Sequence, residues 1–149
     1  MYLNPELKAY YLEDFDRLLN LDDAYWTIDS ELLHVVLSKI NQNKNIQSLY
    51  SKHDEKDESY LFFTYSNSVE LKLFRFIIPQ MLSVIPGLTY EYLPPRINLN
   101  TGLNNGVNLA CVTDENYFNV HQIRLGLVSA DPILHKDFWN LVQNLLCQV

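Results

Sequence analysis

At 149 residues the chain has the length of one ordinary domain and is too short for two. With 48% hydrophobic and 13% aromatic residues it has apolar area to offset the entropy of folding, which excludes an intrinsically disordered chain. Four arginines and seven lysines, widely scattered in a chain of net charge −7, exclude the basic aromatic patch that nucleic-acid binding requires.

Residues 76–88 are uncharged but fall short of the about 20 residues that span a bilayer, and Pro79 and Pro86 interrupt them. No membrane association is therefore expected. The start Met1-Tyr2-Leu3-Asn4-Pro5 lacks a basic residue followed by an apolar run, so a cytoplasmic location is the default expectation. Cys111 and Cys147 lack the Cys-x-x-Cys spacing of a redox pair or metal knuckle and read as free, buried thiols.

In chain order, Asn4 followed by Pro5 is a helix start, because asparagine caps free amides and proline fits the first turn. Leu7, Tyr11, Phe15 and Leu18 then recur at steps of four, four and three, which predicts a helix over 5–20. Asp29 and Ser30 offer a second cap, before a helix carried by Leu32, Leu33, Val36, Leu37 and Ile40. The run Asn41-Gln42-Asn43-Lys44-Asn45 ends or interrupts it, and Ile46, Leu49 and Tyr50 read as a further short helical piece. Residues 52–58 contain no apolar side chain and predict an exposed loop.

Residues 60–65 are aromatic and β-forming and predict a strand. The next segment fits two periods: Val69, Leu71 and Leu73 alternate as in a strand, while Leu73, Phe74, Ile77, Ile78, Met81, Leu82 and Ile85 fit a helix. Proline is cheapest in a first turn, so the expectation is a strand followed by a helix beginning near Pro79. Residues 88–93 alternate as a strand; 97–106 form an Asn/Gly-rich loop with Asn105-Gly106 as a hairpin signal; and 107–112 and 120–128 read as strands around a turn at Asp114-Glu115-Asn116. Asp131-Pro132 then starts a closing helix of about 15 residues with Phe138, Leu141, Val142, Leu145 and Val149 on one stripe. The expected fold is a single α+β domain spanning 1–149, an antiparallel sheet of about four to five strands with N-terminal helices and a C-terminal helix packed on one face.

No catalytic constellation is visible. His34, His53, His121 and His135 include no pair at the three- or four-residue spacing of a helical metal site, and His34 and His53 read as structural. The run 14–18 lacks calcium-loop ligands, and 41–52 has Ile46 and Lys52 where such a loop needs glycine and glutamate. No cofactor or metal is expected. His121 near Arg124, with Arg96 and Asp114 at a distance, could hold an anionic substrate, but no glycine-rich phosphate loop or nucleophile elbow accompanies it and it is a poor candidate for a small-ligand or catalytic site. Cys111 with His121 as a nucleophilic pair is weaker, because Cys111 stands among apolar neighbours.

The acidity is concentrated: residues 1–60 hold twelve acids against six bases, and 61–149 hold six against five. Within the acidic part, Tyr10-Tyr11-Leu12-Glu13-Asp14-Phe15-Asp16 and Asp22-Asp23-Ala24-Tyr25-Trp26 place aromatics beside carboxylates. Aromatics supply contact area and acids steer and pair, the ingredients of a site for a basic protein. The reading that follows is a small acidic binding module, most concretely a stoichiometric inhibitor of the immunity type. It would occlude the active site of a basic toxin such as a nuclease, with Asp14, Asp16, Asp22, Asp23, Tyr25 and Trp26 as contacts. A small-ligand domain or enzyme around His121 and Arg124, and a homodimeric adaptor burying some of the ten tyrosines, are the alternatives.

Overall fold

The computed structural model describes residues 1–19, 30–96 and 119–149. Helix α1 (Pro5–Leu19) begins where Asn4 Oδ1 accepts the Leu7 amide at 2.9 Å. Helix α2 (Glu31–Asn41) is capped by Ser30, whose hydroxyl oxygen accepts the Leu33 amide. Two antiparallel strands follow, β1 (Ile46–His53) and β2 (Glu58–Tyr65). The chain then runs through a 3₁₀ turn (Asn67–Val69), α3 (Glu70–Lys72), a π-helical stretch (Leu73–Ile77) and α4 (Ile78–Val84). Strand β3 (Thr89–Leu93), strand β4 (Gln122–Val128) and helix α5 (Pro132–Leu146) complete the described fold, with Asp131 Oδ1 capping the last helix at the Ile133 amide, 2.9 Å away.

The sheet has the order β1-β2-β4-β3 and every pairing is antiparallel. The fold is thus the expected α+β class. Alternate residues Leu61, Phe63 and Tyr65 of β2 and Ile123, Leu125 and Leu127 of β4 join the main core, as strand periodicity requires. Against them pack Leu33, Val36, Leu37 and Ile40 of α2, Phe138, Trp139, Val142 and Leu145 of α5, and the buried side of 69–85. Phe15 of α1 reaches this core, while Leu3, Leu7 and Tyr11 join Leu49 and Val120 in a second, smaller cluster. Leu49 marks an irregularity in the β1–β2 register. On the side of β2 and β4 that alternates with the core side, the Arg124 guanidinium lies over the rings of Tyr60 and Phe62, 5.4 and 5.8 Å from their centroids, and pairs with Glu58 at 3.0 Å.

Three expectations are corrected. Residues 46–50 belong to strand β1, because the asparagine run is a turn that feeds the sheet: Asn43 O accepts the Ile46 amide, and Asn41 pairs with Ser48 through both its amide oxygen and its amide nitrogen. Residues 69–73 are helical, because Val69, Leu73, Ile77, Ile78 and Met81 all bury one side of a continuous helical run. Pro79 is accommodated by the wide π turn ahead of it, in which the Ile78 amide reaches Leu73 O, one residue beyond the α-helical partner. Cys147 is exposed rather than buried, because it follows the last core residues, Leu145 and Leu146, at the end of α5. The loop at 97–106, the strand at 107–112, the turn at Asp114 and the thiol of Cys111 lie outside the described residues.

Candidate functional site

Of the acidic and aromatic residues singled out in the sequence, Asp14 and Asp16 lie on α1, whereas Asp22, Asp23, Tyr25 and Trp26 lie outside the described residues. Asp14 is bridged by Arg17 one turn on, at 2.7 Å, so part of its charge is neutralised. Asp16 is exposed. Glu6 joins Tyr10 and Glu13 of the acidic and aromatic run in an outward stripe: the three are exposed and stand four and three residues apart, which sets them along one side of the helix. Tyr10 is 38% exposed, a large aromatic turned outward between two carboxylates.

The one lysine of α1 does not offset this charge at the surface. Lys8 is buried, and its ammonium donates to Asn41 O at 2.8 Å, to Ile46 O and to Gln47 Oε1 at 2.8 Å. Burial drives its pKa down to about 8. Lys8 is therefore a bolt joining α1 to the α2–β1 corner, and the outer side of the helix keeps its acids.

His121 and Arg124 are not brought together. Arg124 lies over Tyr60 and Phe62, whereas His121 stacks on Tyr2 with centroids 3.9 Å apart and lies near Tyr65, a core-side residue. Their separation of three residues along an extended strand places them on opposite faces. Arg96 closes the segment after β3 and is half-buried, and Asp114 lies outside the described residues. What surrounds His121 instead is aromatic and acidic. The Tyr92 hydroxyl meets His121 Nδ1 at 2.6 Å, Tyr65 donates to Glu70 Oε2 at 3.1 Å, and Phe74 sets its ring edge-to-face with both Tyr65 and Tyr92. Hydrogen bonding to Glu70 raises the Tyr2 hydroxyl above its ordinary pKa, burial followed by Glu70 raises that of Tyr65, and burial lowers His121. Glu70 and Phe74 also line an open groove of ≈ 390 Å³ with Asn67, Leu71 and Arg75.

A second polar cluster lies inside the core. Ser59 and His135 are fully buried, with Ser59 Oγ 2.7 Å from His135 Nδ1 and His135 Nε2 donating to Ser129 O at 2.7 Å. The Trp139 indole donates to His53 Nδ1 at 3.0 Å, and Ser59 Oγ lies 3.2 Å from that same nitrogen. A buried serine is no nucleophile for an external substrate, and an indole N–H aimed into the centre opposes a cation there. Sequence periodicity carried a signal for this cluster. Ser59 occupies the inward phase of Leu61, Phe63 and Tyr65, and His135 stands three and four residues before Phe138 and Trp139 on the apolar stripe of α5.

Among the described residues no three His, Cys, Asp or Glu side chains gather as metal ligands, and no helix is long and apolar enough to cross a membrane. Compared with protein-family models, with curated proteins and with solved structures, the chain matches none.

Proposed function

We propose that the chain is a protein-binding module, a stoichiometric inhibitor of the immunity type that blocks the active site of a basic toxin such as a nuclease. The observation that carries the reading is the outer side of α1, where Tyr10 is exposed between Glu6 and Glu13 while Lys8 turns its charge inward. Directly after α1 the sequence continues through Asp22, Asp23, Tyr25, Trp26 and Asp29, and residues 20–29 contain no base. Contacts are assigned to Glu6, Tyr10, Glu13 and Asp16 together with Asp22, Asp23, Tyr25 and Trp26; Asp14 contributes less because Arg17 already holds it. Carboxylates steer a basic partner and aromatics hold it once docked.

The test is capture of partners on the purified chain at about 0.15 M salt, where unspecific surface attraction is largely screened. The captured protein is then used to compare the native chain with a Glu13→Lys, Asp16→Lys, Asp22→Lys, Asp23→Lys variant. Slower association with a flattened salt dependence supports the reading, and unchanged kinetics remove this surface from it.

A second reading is favoured by one specific observation, the Tyr2–His121–Tyr92 stack beside Glu70 and the groove at Phe74. It is a small-ligand site around His121 without Arg124. A screen that follows the His121 imidazole by NMR tests it, and a silent screen removes it.

A further inference from the structure

The hydrogen bonds around Ser59 are all satisfied in the following proton arrangement. Ser129 O only accepts, so His135 carries its proton on Nε2 and, in the neutral ring, leaves Nδ1 as an acceptor. The single hydroxyl proton of Ser59 is thereby committed to His135 Nδ1 at 2.7 Å. The indole N–H of Trp139 is then the donor to His53 Nδ1, and the 3.2 Å contact between Ser59 Oγ and His53 Nδ1 holds no proton. Every buried polar atom of the four side chains is satisfied when both imidazoles are neutral with the proton on Nε2.

These residues come from different parts of the fold. His53 ends β1 and Ser59 stands near the start of β2, flanking the exposed turn 54–57, while His135 and Trp139 belong to α5. The cluster ties the β1–β2 hairpin to the closing helix. Ser59 and His135 are fully enclosed and His135 has both nitrogens bonded, whereas His53 is half-buried and reachable by solvent protons.

We propose that His53 is a proton-operated latch on the Trp139 indole: while neutral, with its proton on Nε2, it accepts the indole N–H, and on protonation at Nδ1 it passes the indole to Ser59. A proton there sets two N–H groups against each other across 3.0 Å, so the bond is lost and not weakened. Ser59 Oγ, 3.3 Å from the indole nitrogen, is the acceptor to which Trp139 turns, and the new His53 N–H points at the same oxygen. Protonation therefore moves the hairpin–helix bond of the indole from His53 to Ser59, and adds a bond from His53 to Ser59 within the hairpin. The groups that act on His53 are Asp54 and Glu55 on the hairpin turn, which favour its charge, and His135 on α5, which opposes it. Burial, followed by His135, outweighs the two acids and lowers the pKa of His53, so the latch opens below pH 6.5 and is shut at neutral pH.

The experiment follows the Trp139 indole N–H and the His53 ring nitrogens by NMR between pH 8 and pH 5, in a Trp26→Phe background that leaves one tryptophan. Expected are an Nε2–H tautomer of His53 at pH 8 and an indole resonance that moves with one proton below pH 6.5. His53→Asn, whose Oδ1 accepts from the same place and does not titrate, should hold the indole constant. An Nδ1–H tautomer at pH 8, an indole that does not move, or a titration that survives in His53→Asn and vanishes in His135→Asn overturns the proposal. Should His53→Asn fail to fold, the tautomer and titration of the native ring decide the matter.

Discussion

The Lys8 ammonium donates to the side-chain oxygen of Gln47 at 2.8 Å across 39 positions of sequence, and both residues are buried. With Asn41 O and Ile46 O as its other acceptors, this cation is satisfied by neutral oxygens. It fixes the N-terminal helix to the first strand and removes the only lysine of α1 from its surface.

Lys8→Met should keep the aliphatic stem and strand three acceptors, at a cost of about 3 kcal/mol in urea unfolding. The pH dependence has a definite sign. Lys8 has a pKa of about 8 in the fold against 10.5 when free, so between those values the unfolded chain binds more protons, and this residue makes stability rise with pH. The gap in stability between the native chain and Lys8→Met should accordingly widen from pH 8 to pH 10. A constant gap would show that the fold does not perturb this amine.

Ser59→Ala removes the one hydroxyl that His135 Nδ1 accepts and leaves that nitrogen enclosed without a donor. The expected loss is about 2 kcal/mol, measured by denaturant midpoint at pH 7.5. Ser59→Thr, which restores the hydroxyl, should recover part of it if its methyl group fits beside Trp139.

Arg124→Met should cost about 1 kcal/mol by losing both the Glu58 pair and the stacked contacts on Tyr60 and Phe62, and Arg124→Lys should recover less than half, since a lysine lacks the flat guanidinium. Gly126→Ala reaches the same contact from the backbone. A Cβ at Gly126 meets Arg124 Nη1 at 2.5 Å, so the guanidinium must move, and the loss should be of similar size and not add to that of Arg124→Met. Thermal unfolding of the single and double variants checks both statements.

Tyr92→Phe deletes the 2.6 Å contact to His121 Nδ1. Because a hydroxyl donating to that nitrogen favours the neutral ring, its removal should move the His121 titration up toward the ordinary histidine value, with under about 1 kcal/mol of stability lost. An NMR titration of His121 in both proteins reads this directly, and a downward move would mean that the ring donates to Tyr92.

Much of the architecture was decided by local rules that leave a mark in sequence. Asn4-Pro5, Ser30 and Asp131-Pro132 open helices because a side-chain oxygen can serve free amides anywhere in a chain, and β2, β3 and β4 follow from β-forming residues in alternation. Segment 69–85 satisfied two periods at once. Only the core, by burying Val69, Leu73, Ile77 and Met81 on one side, chose the helix, and a π turn made Pro79 tolerable. Residues 46–50 depart from their helical spacing for a related reason, because the turn that sends them into the sheet is built by Asn41 and Asn43 bonding to Ser48 and to the far C-terminus at Leu146 and Val149.

The sites divide in the same way. Acidity and aromatic content near the N-terminus are properties of composition, so the sequence alone determined that this region is rich in carboxylates and rings. Which of them face outward was decided by tertiary structure, because burying Lys8 depends on where α1 rests, whereas the Asp14–Arg17 pair is local to one helical turn. His121 and Arg124 looked like partners at a separation of three, yet strand geometry sent them to opposite faces. His53, Ser59, His135 and Trp139 span 86 positions and meet only because the hairpin folds onto the last helix. A shared proton network requires distances near 3 Å, and no spacing along the chain encodes those until long-range packing sets them.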